Sequence, residues 1–204
     1  MNIEIRITTK ADFKSTENLT RETFWNLYNP GCSEHFILHR LRESKSYVEG
    51  LDLIAINKGE IIGHIISTKA KVIDARGNEF EVLCVGPFSV SPKLQSKGIG
   101  AKLLNDSITK AKKMGFSGMI LFGNPHYYSR FGFVNAQQFG ITTKEGQNFD
   151  PFMVLELGEN RLAKVKGAFF EDNAFEFVEA DLDEFDKHFP PKKKGKPKID
   201  ISHN

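Results

Sequence analysis

Cysteine is scarce in this 204-residue chain: Cys32 and Cys84 are its only two, and they lie far apart in unlike surroundings. That excludes a disulfide-stapled scaffold and reads as two buried free thiols in a reducing compartment, so a cytoplasmic location is expected. Long apolar runs are missing as well. No stretch reaches the roughly 18 apolar residues of a membrane span, and the opening MNIEIRITTK lacks the apolar core of a signal peptide. An excess of one charge is also absent. The formal net charge of +2 is too near neutral to point to nucleic acid. No internal repeat is visible, and no metal-ligand set is assigned.

What is there suits a globular domain with a substantial core: 40% hydrophobic and 26% charged residues. Ile3, Ile5 and Ile7 alternate with polar residues as in a half-buried strand. Asp12 to Tyr28 has helical spacing, with Phe13, Leu19, Phe24 and Leu27 on its expected buried side, and Asn29-Pro30-Gly31 breaks it. A second helix is expected from Ser33 to about Arg42, with Phe36, Ile37 and Leu41 as its apolar positions. Leu51–Ile56, a turn at Asn57-Lys58-Gly59-Glu60 and Ile61–Lys71 form a hairpin signature. Glu79–Val90 is a further strand after the Arg76-Gly77-Asn78 turn.

Ile99, Leu103, Leu104, Ile108 and Ala111 predict a helix from Gly98 to about Met114, ended by Gly115. Ser117–Gly123 is a short buried strand, and Asn124-Pro125 turns it into a short helix through Tyr128 to Phe131. Ile141–Thr143, Phe152–Leu157 and Gly167–Phe170 are expected strands. Residues 171–186 carry eight acids, and the last fifteen residues carry five lysines. Residues 1–189 are read as one domain, a core of 1–135 with an extension of 136–189. Residues 190–204 are read as a basic, flexible tail.

The most telling stretch is GPFSVSPKLQSKGIGA, residues 86–101. An extended run, Phe88-Ser89-Val90, stops at Pro92 and passes through a glycine-rich turn straight into a helix. The first N–H groups of a helix have no partner within it, and its dipole favours negative charge there. Glycine removes side chains that would hold a phosphate away. The expected ligand therefore carries phosphates. The spacing is neither G-x-x-x-x-G-K-[ST] nor G-x-G-x-x-G, since Leu103 stands where the third glycine of the latter belongs.

Read as Q-x-x-G-x-G-A, Gln95 to Ala101 resembles the pyrophosphate-binding motif of the GNAT acetyltransferases, which hold acetyl-coenzyme A. Val90-Ser91-Pro92 looks like that family's strand end, and Tyr128-Ser129-Arg130-Phe131-Gly132-Phe133 is similar to its Y-x-x-x-G-F signature. Pro30–His35, Gly63-His64-Ile65, Gly123–Phe133, Phe152–Leu157 and Phe185…Phe189-Pro190 look like one branch, the small bacterial acetyltransferases often called YhbS-like. The resemblance implies an α/β (α+β) fold: a mixed, mostly antiparallel sheet splayed between its fourth and fifth strands and flanked by helices. Here those strands are Glu79–Val90 and Ser117–Gly123.

The same resemblance implies an N-acetyltransferase. It would pass the acetyl group of acetyl-CoA to a primary amine of a small molecule or peptide, by direct attack in a ternary complex. Backbone N–H groups of Gln95, Ser96, Lys97, Gly98, Ile99, Gly100 and Ala101 would cradle the pyrophosphate, with Lys97 and Lys102 adding charge. Phe88, Ser89 and Val90 would line pantetheine, and the Val90 N–H would meet the thioester oxygen. Asn124 either contacts the cofactor or caps the short helix. Tyr128 is the expected acid for the leaving thiolate, while Tyr127 is read as packing.

Several members carry a glutamate base where Cys84 stands here, and that acid is missing. Glu81, three residues earlier and on the opposite face by strand alternation, is the candidate base, through water if at all; Glu79 stands at the strand's start. A lone buried cysteine is usually inert, which weighs against Cys84 as an acetylated nucleophile. Glu34 and His35 open the second helix and either bind the acceptor amine or are, respectively, a first-turn charge and a surface histidine. His64 reads as a core residue, His126 as a capping or surface one, and Arg130 and Lys93 as solvated. Two other functions stay in view: a non-catalytic acyl-CoA-binding regulatory or sensing module, and nucleic-acid association through Lys192–Lys198, against which the shortness of the run and the lack of aromatics argue. Whether the protein is a homodimer stays open.

Overall fold

In a computed structural model that describes residues 2–199, the chain opens with β1 (Glu4–Ile7), α1 (Phe13–Phe24) and α2 (Glu34–Glu43). Three long strands follow: β2 (Tyr47–Asn57), β3 (Glu60–Ile73) and β4 (Glu79–Val90). Next come α3 (Ile99–Lys113), β5 (Gly118–Phe122), α4 (Pro125–Tyr128), β6 (Val134–Asn135), β7 (Ile141–Thr142), β8 (Phe152–Glu156), β9 (Gly167–Phe170) and α5 (Glu179–Asp186). One sheet runs β1-β2-β3-β4-β5-β8-β6, antiparallel except where β4 meets β5. Strand β9 joins β3 at Lys71–Ile73, and β7 lies parallel to β9. The mixed, mostly antiparallel sheet expected from the sequence is therefore present. No helix among the described residues is long and apolar enough to cross a membrane.

Alternation along the strands sorts side chains to two faces. Leu51, Leu53, Ala55, Ile65, Leu83, Val85, Met119 and Leu121 pack against Ile99, Leu103, Leu104, Ile108 and Ala111 of α3. On the other face, Ile66 meets Leu38 and Leu41 of α2. Farther along, Val72, Val82, Cys84, Ile120, Phe152 and Val154 are covered by Ile141, Leu162, Val165 and Phe169 of the C-terminal third.

The first helix differs from expectation. It stops at Phe24, and its buried residues are Thr16, Glu17, Leu19, Thr20 and Arg21 rather than the chosen aromatics. The reason is that α1 covers a polar layer. Asp52 of β2 is fully buried and accepts from Arg42 Nε at 2.9 Å, Tyr47 Oη at 3.1 Å and His64 Nε2 at 2.8 Å. The Arg42 guanidinium lies 4.1 Å above the Phe13 ring. Burial holds the His64 imidazole below its ordinary range, while at Asp52 the hydrogen bond from His64, and after it the charge of Arg42, outweigh burial and hold the carboxyl well below the usual carboxylate range. His64 is thus a core residue, as read, though its Nδ1 has no partner among the described residues.

A second clamp fastens the end of the chain to α1 and α2. Arg21, fully buried, donates from Nε and Nη2 to the two oxygens of Asp186 at 2.6 and 2.9 Å, and from Nη1 to the Pro190 carbonyl at 3.2 Å. His35 Nε2 meets the same carboxylate at 3.1 Å. The acidic stretch, left unassigned in the sequence, supplies α5, whose Leu182 is buried.

The segment from Pro190, expected as a flexible tail, is tied down as far as it is described; Asp200–Asn204 lie outside the described residues. Trp25 Nε1 donates to the Lys193 carbonyl at 3.1 Å, Gly195 N to Asn26 Oδ1 at 2.9 Å, and Lys198 N and Ile199 N to the carbonyls of Asn26 and Leu27 at 2.9 Å. Two of its lysines meet acids, Lys192 with Glu22 at 2.8 Å and Lys194 with Asp183 at 3.0 Å.

Two outcomes test these clamps. Asp52→Asn should cost about 3–5 kcal/mol, since it leaves Arg42 buried without its countercharge; urea unfolding reads this, and a loss below about 1 kcal/mol would refute it. Burial first, then Arg21, pushes the His35 imidazole down to about 4, against the pull of Asp186. Its proton affinity is lower folded than unfolded, so stability should decline as pH falls from about 6.5 toward about 4. In His35→Phe that decline should be visibly shallower.

Candidate active site

Strands β4 and β5 pair only at Leu83–Met119 and Cys84–Ile120 and then part. Each is held from its outer side, β4 by β3 and β5 by β8 over all five residues, so the gap cannot close by sliding. Ser91 N donates across to Ile62 O at 2.9 Å, and Gly63 faces Val90 one step back. By strand alternation the N–H and C=O of Val90 therefore point away from β3, into the gap. The carbonyl is taken by Gln95 Nε2 at 3.2 Å and approached by Thr23 Oγ1 at 3.4 Å. The Ser89 hydroxyl turns to the other face and donates to Thr20 Oγ1 at 3.0 Å.

Past the gap, Pro92–Leu94 make one 3-10 turn, and the chain reaches α3 through positive φ at Ser96 (60°) and Gly98 (81°). No side chain among the described residues caps α3. The N–H groups of Ile99, Gly100 and Ala101 thus stay free at the positive end of a 15-residue helix. The two glycines serve different ends. Gly98 has open space around it and is needed for its backbone conformation. At Gly100 a Cβ would lie 2.8 Å from Tyr127 Oη and 3.2 Å from Phe88 Cζ, so it is needed for close approach. Lys97 and Lys102 flank this turn at the surface.

The Tyr128 ring lies against Gly123, where a Cβ would come within 2.2 Å, and it packs edge-on to Tyr127 and Phe133. Burial, with smaller contributions from the phenols of Tyr127 and Tyr28, raises the Tyr128 hydroxyl well above the usual tyrosine range. It stays protonated at neutral pH, with no hydrogen-bond partner among the described residues. Tyr127 packs on Tyr128 and Phe131 as expected, but its hydroxyl also reaches the first turn of α3, and Arg130 stacks 4.8 Å above its ring. Only the adjacency of two tyrosines in the chain hints at that reach. Asn124 accepts from His126 N at 2.9 Å, which is the capping role.

Phe88, Val90, Gln95–Ala101 and Tyr128 are thus gathered around one gap. Glu81 is not. It lies at the start of β4, where its carbonyl meets Ser117 at the beginning of β5, while Tyr128 follows the far end of β5. Its half-exposed carboxylate pairs with Lys69 at 3.0 Å. His35 belongs to the α5 clamp, neither at the surface nor open to a ligand. Glu34 Oε2 accepts from Ser33 N at 3.1 Å and Cys32 Sγ at 3.2 Å, at the edge of a cleft beside the α1–α2 turn. Cys84 is enclosed by the C-terminal third, and burial raises its thiol far above the usual range. No group of three or more His, Cys, Asp or Glu is placed to hold a metal among the described residues.

Residues 15–133 match the acetyltransferase (GNAT) family. The uncharacterized N-acetyltransferase YhbS of Escherichia coli K12 is 24% identical over 163 residues, which is 80% of this chain and 92% of YhbS. The crystal structure of E. coli YhbS in complex with CoA superposes with a TM-score of 0.77 at 23% identity, covering 87% of this chain and 94% of that one. A GNAT family acetyltransferase from Brucella melitensis, solved with acetyl-CoA, gives 0.70 at 26% identity, covering 86% and 99%. The family read from the loop and its flanks is the one found.

Of the two thiols expected to be buried, Cys84 is, while Cys32 is half-buried at the edge of the cleft. Burial and the neighbouring Glu34 raise Cys32 as well. A disulfide exchange reagent at pH 8 should label neither cysteine rapidly in the folded protein and both in urea. One fast thiol in the native state would reopen a cysteine nucleophile.

Proposed function

From the premise that the chain belongs to the acetyltransferase (GNAT) family, we propose that it is an acetyl-CoA-dependent N-acetyltransferase with its reacting centre in the gap between β4 and β5. The observation that carries this is the meeting, at one edge, of an unpaired strand end and an uncapped helix. Acetyl-CoA supplies the activated acyl group. The free N–H groups of α3 and its loop bind the pyrophosphate. Phe88 and Val90 offer main-chain partners to the pantetheine amides. The Val90 N–H donates to the thioester oxygen as charge builds on it. The Tyr128 hydroxyl, kept protonated by burial, delivers a proton to the departing sulfur. Each turnover makes one amide bond and breaks one thioester bond, releasing coenzyme A.

We assign no carboxylate to the base, because Glu81 lies at the wrong end of β4 and Cys84 replaces the other acid. The acceptor then reacts as its neutral amine, its proton passing to water. The acceptor is a primary amine of a small molecule or peptide, and the setting is the bacterial cytoplasm, in keeping with the bacterial relatives. The missing carboxylate also favours a second reading, an acyl-CoA-binding module without turnover.

Thermal unfolding with acetyl-CoA, coenzyme A and ATP tests the ligand. At a hundredfold excess over Kd a stabilisation of about 2.7 kcal/mol is expected from the two CoA forms and none from ATP, and Gly98→Glu should lose it. No shift at millimolar acetyl-CoA would end this reading. Activity separates the two alternatives. With an amine acceptor, kcat/KM should rise about tenfold per pH unit below the amine pKa, and Tyr128→Phe should lower kcat about a hundredfold. Binding without turnover in the unaltered protein would favour the module.

A further inference from the structure

Beside the proposed reaction centre, the α1–α2 turn and α5 enclose a cleft of about 140 Å³. Its rim is acidic: Glu34 from the start of α2, and Glu179, Asp183 and Asp186 from α5. Its floor is aromatic, with Phe24, Trp25, Tyr28 and Phe177 among the lining residues. One contact joins this wall to the reacting groups: Thr23, one residue before Phe24, lies 3.4 Å from the Val90 carbonyl.

The side chain of Lys194, about half exposed, forms part of the lining of the cleft. Lys194 lays its methylenes over Gly31, where a Cβ would stand 3.3 Å from Lys194 Cε, and its ammonium lies 3.0 Å from Asp183. Gly31 has φ +86°, so the turn is built with no side chain at the point where the lysine stem crosses. The backbone around Lys194 is held independently of this contact, at Pro190 and Lys193 by Arg21 and Trp25 and at Gly195 by Asn26. Placing the ammonium there is therefore a separate feature of the strap, not its anchor. Asp183, with Glu179 and Asp186 farther off, raises the Lys194 ammonium above its ordinary value. The lysine stays charged and does not serve as an acceptor.

We propose that this cleft is the acceptor site for an aliphatic di- or polyamine and that Lys194 is a built-in competitor, which the acceptor displaces to enter. The proposal rests on the reading of Val90 and Tyr128 as the reacting centre. A second cationic nitrogen of the acceptor would take the place of the Lys194 ammonium among the acids. Its carbon chain would lie along Gly31 and the aromatic floor, leaving the far amine to reach toward Tyr128.

Isothermal titration of spermidine into the full chain tests this, with coenzyme A titrated in parallel. In Lys194→Ala and Lys194→Met, spermidine should bind about three- to fivefold tighter than in the unaltered protein, the range an exposed ion pair can impose. Coenzyme A should bind all three equally. Adding Glu34→Gln and Asp183→Asn to Lys194→Met should remove the gain. Equal spermidine affinity with and without Lys194, tightening in the alanine variant alone, or no spermidine binding by any variant would each overturn the proposal. Absence of coenzyme A binding would instead count against the reaction centre, and the spermidine comparison would still decide the cleft.

Discussion

The structure is organised around a backbone constraint. Two strands that pair at two positions and then diverge leave main-chain donors and acceptors that water or a ligand must satisfy. Everything nearby serves to keep that gap open and defined. β3 and β8 hold its two sides from without, and Phe88 supports it from beneath α3. The same divergence lets the chain turn from β4 into a helix whose first N–H groups stay unclaimed. A closed sheet at this point would have satisfied its own hydrogen bonds and offered nothing to a ligand.

Around this gap the protein uses two kinds of packing. The α3 face is conventional, apolar and close, with glycines where contact is tightest. The α1–α2 face is mounted on buried ion pairs, Arg42 with Asp52 and Arg21 with Asp186. Such pairs add little net stability against an apolar alternative, but breaking one is costly. They fix position more than they strengthen it. For a wall bearing Thr20, Thr23 and Tyr28 beside the proposed reaction centre, a defined position is the more useful property.

How far the sequence could be read follows from the same division. The elements lining the gap declare themselves locally. Alternation gives β4, helical periodicity gives α3, and Gln95–Ala101 marks the loop. Where burial is polar, apolar periodicity misleads: the inner face of α1 holds Thr16, Glu17, Thr20 and Arg21, which a hydrophobic pattern assigns to solvent. His35 was open to reading as a surface residue because its partner, Asp186, lies 151 residues away. The segment after Pro190 read as a flexible tail because the residues that hold it, the acids meeting Lys192 and Lys194 among them, come from α1, distant in the chain, and from α5. Glu81 had the right chemistry on the right strand, but only the pairing of β4 with β5 reveals which end of the strand the reaction would use.

The clamp at Arg21 also bears on the order in which the molecule is made. Its partner Asp186 is 165 residues downstream, so during synthesis α1 leaves the ribosome long before its countercharge exists. A guanidinium cannot be buried alone, and α1 must stay at least partly solvated until α5 arrives. The α3 face has no such dependence and is free to consolidate first. The side that would receive the acceptor is thus the last to close. A chain cut short before α5 would hold a formed loop at α3 while its other wall was still unmade, so truncated products would retain the groove for one partner and lose the seat for the other.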